Sequence, residues 1–460
     1  MIDLGLFAGR RIDILGLGRT GLSAGIALKA SGALVRVWDD APAAREQAVA
    51  QGLEVCEAVG AKPADMLLMS PGIPHTHPEP HPAAHRARAA GVPLTSDIEM
   101  LWQAQRAARY VAITGTNGKS TTTALIGHIL GAAGRTTAVG GNLGTPVLSL
   151  PPLGSDGTYV LELSSYQLEL LPSAEFDVSV LMNISPDHLD RHGGMDGYVA
   201  AKTRIFQGKG TAVIGVDDDW SRAVADRVRE QGRRTVVPVS TDRIVTGGVF
   251  AVDGILFDGT EGDAVRVADL NAVPTLPGRH NWQNACAAYA ACRAIGVDRA
   301  AIAAGLASFG GLAHRQQLIS TIGGVRFVND SKATNADAAD KALVCYTDIY
   351  WIVGGVPKAG GLSGLERHMP RVRKAFLIGQ AAGEFADWLA GNGVAFEVSG
   401  DMGTAVRAAA AAAAGDKRPG AVVLLSPACA SFDQYRNFEQ RGDDFARHVA
   451  ALHAAGGPTA

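Results

Sequence analysis

The sequence has few cysteines, few aromatic residues and no excess of charge of one sign. Of its 460 residues five are Cys and 6% are aromatic, and 42 Lys plus Arg against 45 Asp plus Glu leave a net charge of -3. The cysteines are scattered, odd in number and never spaced as a CxxC pair, which argues against a disulfide framework and a structural zinc site. No long basic stretch is present that would neutralise a row of phosphates, so we expect no nucleic-acid partner.

A long apolar run is also missing. No stretch approaches the roughly 18 apolar residues that a membrane-spanning helix needs. Arg10, Arg11 and Asp13 would interrupt the apolar part of an export signal. We therefore expect no membrane anchor, a cytoplasmic location in which thiols stay reduced, and a monomer that acts on small molecules.

What is present is a composition typical of a globular protein, with 19% charged and 47% hydrophobic residues. At roughly 150 residues per domain, the length predicts three domains. We predict an α/β protein with a Rossmann-like N-terminal domain (1–97), a central P-loop ATPase-type α/β domain (98–311) and a C-terminal Rossmann-like α/β domain (312–460). Apolar strand candidates lie at 33–38, 65–70, 110–114, 158–163, 178–183, 211–216, 325–328, 349–353, 374–378 and 421–425.

A short glycine loop follows the strand candidate at 110–114 and precedes a helical stretch. Backbone N–H groups in such a loop can cradle phosphate oxygens, while Lys119 would reach the terminal phosphates and Ser120 would hold Mg²⁺. The first glycine of GxxxxGK[ST] would fall at Ile113, so the loop is a shorter variant; a helix-capping turn is the alternative interpretation. The residues predicted to bind the nucleotide here are Gly115, Thr116, Asn117, Gly118, Lys119, Ser120 and Thr121.

A second glycine pattern lies near the start of the chain. Gly16, Gly18 and Gly21, with Asp39 about twenty residues on, satisfy the dinucleotide fingerprint and by themselves suggest NAD. The phosphate loop downstream and the lack of hydride-transfer partners favour a nucleotide-diphosphate substrate on this helix N-terminus. An NAD-dependent oxidoreductase stays open as an alternative.

Carboxylates and imidazoles follow buried strands of the central segment. Glu162 and His188 should therefore converge on the edge of the sheet that carries the phosphate loop, where acidic groups complete Mg²⁺ coordination. Helix caps and a surface imidazole are the alternative interpretation. The four histidines at 75, 77, 81 and 85 lie among prolines, which predicts a solvated loop and not a metal site.

Together these stretches resemble the Mur ligases, the amide-bond-forming ligases of bacterial cell-wall synthesis, over nearly the whole chain. The similarity is greatest to the members that join glutamate to UDP-N-acetylmuramoyl-L-alanine (UDP-MurNAc-L-Ala). It is carried by GTNGKST at 115–121, GGNLG at 140–144, LELSSYQLE at 161–169, NISPDHLDRH at 183–192, YVAAK at 198–202, HNWQNACAA at 280–288, HR at 314–315, NDSKATN at 329–335 and SPACASFDQYRNFEQRG at 426–442.

The resemblance implies that ATP phosphorylates the alanyl carboxylate and that the amine of glutamate attacks the acyl phosphate. It implies a catalytic set of Lys119, Glu162, His188 and Lys202 and two Mg²⁺ sites held by Ser120, Glu162, His188 and Lys202, the last as a carbamate. Carbamylation needs a neutral amine and hence a lowered lysine pKa. The resemblance further implies ATP contacts at Asn281, Asn284, Arg315 and Asp330, muramoyl-alanine contacts at Asn142, Ser164 and His188, glutamate contacts at Lys332, Thr334, Lys358, Ser431 and Phe438, and uridine contacts at Gly18, Arg19, Thr20 and Gly72.

One segment departs from the family. Around Lys358 the family pattern GGxDKGxD is replaced by a run from Gly354 to Gly361 that has no aspartate, so the handedness of glutamate rests on the family alone. L-glutamate as the acceptor is one alternative. A folylpolyglutamate synthetase, which shares the short loop but lacks a separate N-terminal uridine-binding domain, and a non-catalytic nucleotide switch are the others.

Overall fold

Three β-sheets flanked by α-helices make up residues 2–358 and 360–455, which the computed structural model describes. This confirms the predicted α/β class. The chain divides into two compact units: the first holds the residues up to Ala272 together with Arg279–Phe309, and the second holds Val273–Gly278 and the residues from Gly310 onward. Within the described ranges, no helix combines the length and the apolarity that crossing a bilayer requires.

The N-terminal sheet of the first unit has five parallel strands in the order β3-β2-β1-β4-β5, which is the Rossmann order without its sixth strand. Its strands are β1 (Arg11–Leu15), β2 (Leu34–Trp38), β3 (Glu54–Val55), β4 (Met66–Met69) and β5 (Leu94–Thr95). The helices of this part are α1 (Arg19–Ala30), α2 (Pro42–Ala50), α3 (Pro82–Ala89) and α4 (Asp97–Ala104).

The nine-stranded sheet of the first unit has the order β14-β13-β12-β11-β10-β9-β6-β8-β7. Strands β6 to β12 run parallel, and β13 and β14 extend the sheet by antiparallel pairing. The strands are β6 (Arg109–Thr114), β7 (Thr137–Gly141), β8 (Thr158–Glu162), β9 (Val178–Leu181), β10 (Gly210–Gly215), β11 (Arg234–Ser240), β12 (Val249–Val252), β13 (Ile255–Asp258) and β14 (Val265–Asp269). The helices are α5 (Lys119–Ala132), α6 (Ser165–Glu169), α7 (Leu189–His192), α8 (Met195–Thr203), α9 (Asp219–Gln231), α10 (Arg279–Ala294) and α11 (Arg299–Ala307).

The sheet of the second unit has six strands in the order β15-β16-β20-β17-β18-β19, parallel except for β15. Successive residues of the strand Ile349–Gly354 point to opposite faces of the sheet. Trp351 therefore packs in the hydrophobic core on one face and Tyr350 in the core on the other. The strands are β15 (Gln317–Ile322), β16 (Val325–Asn329), β17 (Ile349–Gly354), β18 (Val372–Ile378), β19 (Phe396–Gly400) and β20 (Val422–Leu425). The helices are α12 (Ala336–Leu343), α13 (Ala382–Gly391), α14 (Met402–Asp416) and α15 (Phe438–Ala455).

Candidate active site

A cavity of about 280 Å³ opens at the carboxyl ends of the central parallel strands in the first unit. Strand β6 lies between β8 and β9, so the loops after these three strands meet at one edge of the sheet. The cavity is lined by Pro71, Gly72, Lys119, Asn142, Ser164, Ser165, Tyr166, Asp187, His188, Tyr198 and Lys202.

The phosphate loop between β6 and α5 depends on two glycines. Gly115 has φ +150°, and a Cβ on it would lie 2.8 Å from the Cβ of Met182. Gly118 has φ +85° and precedes the first residue of α5, and a Cβ there would overlap Oδ1 of Asn284. Only glycine fits such positions, so the loop brings its backbone close to β9 and α10 and leaves a small concave cradle at the start of α5.

Side chains from the segment after β9 hold this loop in place. The carbonyl oxygen of Asn183 accepts from Thr116 N at 2.9 Å, and its Oδ1 accepts from Asn117 N at 2.8 Å. The hydroxyls of Thr116 and Tyr198 lie 3.0 Å apart. Asn183 and Tyr198 had no predicted role, although both lie in stretches that carry the family resemblance, because their function depends on contacts that spacing does not reveal.

Two lysines meet beneath the loop. Lys119 Nζ donates to the carbonyl oxygens of Gly115 and Thr116, both at 2.8 Å. Lys202, which is 2% exposed, donates to the Gly115 carbonyl at 2.9 Å. Burial, together with the nearby charge of Lys119, holds the pKa of Lys202 well below its ordinary value. A lysine in this environment has an amine that loses its proton readily.

Glu162 ends β8 with its carboxylate buried beside the cavity. Its Oε1 accepts from Asn142 Nδ2 at 2.7 Å, while its Oε2 is buried and has no hydrogen-bond partner in the described part of the chain. A buried carboxylate oxygen without a partner is costly unless a cation or a proton meets it, so this oxygen fits a hard cation such as Mg²⁺. Within residues 2–358 and 360–455, no group of three or more His, Cys, Asp or Glu side chains is arranged to hold a metal ion by itself.

His188 also lines the cavity, at a position where the backbone is left-handed (φ +52°). Its ring centroid is 5.2 Å from that of Tyr166, and its Nε2 is 3.5 Å from Asp187 Oδ2. Ser164 caps α6 by accepting from Gln167 N at 3.2 Å. Tyr166 is a cavity residue that had no predicted role, and Asp187 belongs to the acidic cluster that the sequence predicted near the metal.

Other predicted residues of the first unit lie outside the cavity lining. Gly18, Arg19 and Thr20 stand at the N-terminus of α1. Both carboxylate oxygens of Asp39 accept from backbone N–H groups, Oδ2 from Leu17 and Oδ1 from Ala41, and so brace the glycine turn.

Helix α10 supplies two more of the predicted residues. Asn281 and Asn284 lie on it with their side chains hydrogen-bonded to each other, and Asn284 Oδ1 accepts from the Thr122 hydroxyl behind the phosphate loop.

The four histidines that follow β4 do not all lie in the solvated loop that the sequence predicted. His77 and His85 are exposed as expected, but His75 is only 8% exposed, with its Nε2 3.2 Å from Glu169 Oε2. The prediction of a solvated loop was wrong for His75, because the partner that buries it comes from α6, far along the chain. It was also wrong for His81, which caps α3 by accepting from Ala83 N, and for His85, which lies on that helix.

The second unit contains the remaining predicted residues, grouped near the ends of β16 and β20. Asp330 is 4% exposed, and burial raises its pKa to about 7 although Ser426 Oγ donates to it at 2.8 Å. Lys332 Nζ lies 5.1 Å from the ring centroid of Phe438. Arg315, Thr334 and the buried Ser431 belong to the same unit, and Lys358 is exposed.

In the first unit, a phosphate loop at the carboxyl edge of a parallel sheet lies beside an unpaired carboxylate oxygen and a buried lysine. This arrangement is typical of enzymes that transfer a phosphoryl group from a nucleotide. Residues 113–292 match the family model described as the Mur ligase middle domain. Full-length relatives that are more than half identical extend this match to the whole chain, which belongs to the Mur ligase family, among the UDP-N-acetylmuramoylalanine–D-glutamate ligases.

Full-length relatives carry this assignment. The ligase of that name from Rhodospirillum rubrum is 54% identical over 462 residues, covering 98% of this chain and 97% of the relative. The one from Caulobacter vibrioides strain NA1000 is 52% identical over 471 residues, covering all of both chains.

Solved structures share the fold at low identity. A UDP-N-acetylmuramoyl-L-alanyl-D-glutamate–2,6-diaminopimelate ligase superposes with a TM-score of 0.59 at 19% identity, covering 98% of this chain and 94% of that one. The UDP-N-acetylmuramate–alanine ligase of Thermotoga maritima gives 0.58 at 16% identity, covering 96% and 99%.

Proposed function

We propose that this chain joins D-glutamate to the alanyl carboxylate of UDP-MurNAc-L-Ala with conversion of ATP to ADP and phosphate, a step of cytoplasmic peptidoglycan precursor synthesis. The observation that carries the proposal is the cavity, because it gathers residues that the sequence assigned to phosphate, metal, muramoyl-alanine and the uridine part of the substrate. They are Gly72, Lys119, Asn142, Ser164, His188 and Lys202. The full-length relatives named as D-glutamate ligases support the same acceptor.

The reaction has two bond-forming steps. A carboxylate oxygen of the alanyl group attacks the γ-phosphorus of ATP, and ADP leaves. The glutamate amine then attacks the acyl carbon, the phosphate leaves and the nitrogen loses a proton. Lys119, now bonded to two loop carbonyls, would turn to the γ-phosphate and offset its charge.

Glu162 and Ser120 would hold one Mg²⁺, and His188 with a carbamylated Lys202 would hold a second. Bound Mg²⁺ supplies charge neutralisation of the transferring phosphoryl group. The unpaired Oε2 of Glu162 and the burial of Lys202 support this assignment. Substrate phosphate oxygens and the carbamate would supply further oxygen ligands of the kind that Mg²⁺ prefers.

The domain assignments belong to the same proposal. Residues 1–97 would bind the UDP part through the N-terminus of α1 and Gly72, residues 98–311 would bind ATP, and residues 312–460 would bind glutamate through Lys332, Thr334, Lys358, Ser431 and Phe438. Asn281, Asn284, Arg315 and Asp330 would serve ATP. We also propose that the protein acts as a monomer.

Phosphate release from ATP with UDP-MurNAc-L-Ala tests the proposal, with D-glutamate, L-glutamate or no amino acid as the third component. We expect release with D-glutamate only and its loss in Lys202→Ala. If a carbamate carries the function of Lys202, a short carboxylate such as propionate should restore part of the activity of that variant. Release with L-glutamate alone would change the acceptor, and no release with either would reject the proposal.

A further inference from the structure

The carboxylate of Glu169, the last residue of α6, lies between two buried histidines. Its Oε2 is 3.2 Å from His75 Nε2, and its Oε1 is 3.0 Å from His192 Nδ1. The second ring nitrogen of His192 is 2.9 Å from Ser165 Oγ. Burial alone would raise the pKa of Glu169, but the close contacts with His192 and His75 lower it to about 2, so the carboxylate is ionised at neutral pH.

The orientation of the His75 ring follows from its other neighbour. Arg88, on α3, has its Nη2 3.0 Å from His75 Nδ1. Because a guanidinium can only donate, Nδ1 accepts and the ring proton lies on Nε2, which faces Glu169. His75 Nε2 is buried and has no partner with hydrogen-bond geometry in the described residues, so its 3.2 Å approach to Glu169 Oε2 is its one close polar contact given by the structure. The arginine therefore fixes the tautomer that points a donor at the carboxylate.

These contacts join the segments that form the cavity walls. His75 lies three residues after Gly72 in the loop that follows β4, and His192 lies four residues after His188. Glu169 closes the five-residue helix α6, whose capping residue Ser164 also lines the cavity. The Glu169 carboxylate thus connects the three segments that contain Gly72, Ser164 and His188.

A second set of contacts, made by Arg191, connects the same loop to the cavity wall. Arg191 Nη1 donates to the carbonyl oxygen of His77 at 2.5 Å, and its guanidinium lies 4.8 Å from the ring centroid of Tyr166, a cavity residue. The loop after β4 is therefore held at His75 and at His77. The position of Gly72 over the cavity is set by polar contacts to the central part of the first unit, and not by its own sheet alone.

We propose that Glu169 is a positioning residue for the muramoyl substrate, holding the loop that contains Gly72 and the segment that contains His188 at the spacing the substrate requires. The inference rests on the proposed function. Glu169 does not line the cavity, so it acts through its two histidines. Its loss should weaken binding of the muramoyl substrate and leave the phosphate loop intact.

The test compares KM for each substrate and kcat in Glu169→Ala, His75→Ala and His75→Gln. We expect Glu169→Ala and His75→Ala to raise KM for UDP-MurNAc-L-Ala about tenfold while KM for ATP changes less than about twofold. His75→Gln, whose amide N–H can donate from near the Nε2 position, should stay within about threefold of the wild type. Glu230→Ala, at an exposed position of α9 in the same unit, is the matched control and should change neither KM.

The outcomes separate positioning from other roles. A fall in kcat with every KM unchanged would overturn the inference, and so would an equal rise in all three KM values. If Glu169→Ala does not fold, the contrast between His75→Ala and His75→Gln decides, and equal behaviour of those two variants would overturn it. Wild-type protein without turnover on these substrates would reject the proposed function itself, which is a different result from an altered ratio of KM values.

Discussion

At the scale of single residues, the phosphate loop depends most sharply on Gly118. An alanine at this left-handed position costs roughly 1–2 kcal/mol in backbone energy, and its Cβ would overlap Asn284 Oδ1. The loop or α10 would have to move. Since a displacement of about 1 Å at a reacting centre can cost about 100-fold in rate, we predict that Gly118→Ala lowers ATP turnover by about that factor or more. Phosphate release under saturating substrates measures it.

Gly131 provides the matched control in the same helix. It lies near the end of α5 at an exposed position, and a Cβ added there would meet nothing within 4 Å. Gly131→Ala should leave turnover unchanged and stabilise the protein by about 0.5–1 kcal/mol, because alanine loses less backbone entropy in a helix. Equal effects of the two substitutions on turnover would contradict the assigned role of Gly118.

Residue types and their order predicted several of the side chains that line the cavity. They did not predict the side chains that hold the lining residues in place. Lys119 and Lys202 follow from a strand, a loop and a family pattern. Asn183 and His75 do not, since the first acts through an amide that braces the loop and the second is buried by a partner from α6. Such roles arise from tertiary contacts, which local composition cannot report.

At the scale of elements, the first turn of α4 contains an unfavourable charge. Asp97 is 3% exposed, and burial raises its pKa from the ordinary 3.8 to about 6, although Ile98 N donates to it at 3.0 Å. The folded state therefore binds the proton more tightly than the unfolded state, and stability is lost as the pH rises from about 3.8 through about 6.

Asp97→Asn should remove that cost and keep an oxygen for the Ile98 N–H. We predict that the variant gains about 1–3 kcal/mol over the wild type above pH 6, and that the gain shrinks as the pH falls toward 4. Urea unfolding between pH 4.5 and 8 measures it. Asp219→Asn, at the exposed first position of α9, is the control and should show no such gain. A gain for Asp97→Asn that does not vary with pH would contradict this account.

Many of the longer apolar strands were predicted as elements, whereas the parallel strands β7, β11 and β19 were missed, as were the short and the antiparallel ones. The candidates at 110–114 and 158–163 match β6 and β8 to within one residue at each end, because a buried parallel strand is an apolar run bounded by turns. β3 and β5 have two residues each, and β12 to β14 and β15 pair antiparallel at sheet edges. Their existence depends on a neighbouring strand, and so it cannot be inferred from a short run alone.

At the scale of the whole molecule, each unit contains a buried arginine that donates hydrogen bonds to backbone carbonyl oxygens of the same unit. Arg234 is 6% exposed and donates to the carbonyl oxygens of Phe206 and Phe176 at 3.1 and 3.0 Å. Arg441 is 1% exposed and donates to those of Ser331 and Cys429 at 2.8 and 3.0 Å. Burial lowers the pKa of both arginines to about 10, so both stay charged at neutral pH.

This matched pair tests whether the two units are separate cooperative units. Lysine keeps the charge but not the planar fork of donors, and each buried acceptor left unsatisfied costs about 1–3 kcal/mol. We predict that Arg441→Lys speeds amide hydrogen exchange in β16 and β20 and leaves β9 and β11 as protected as in the wild type. Arg234→Lys should do the reverse. Faster exchange in all four strands in both variants would mean that the chain unfolds as a single cooperative unit. Two separate cooperative units would each lose protection only when the substitution lies within them.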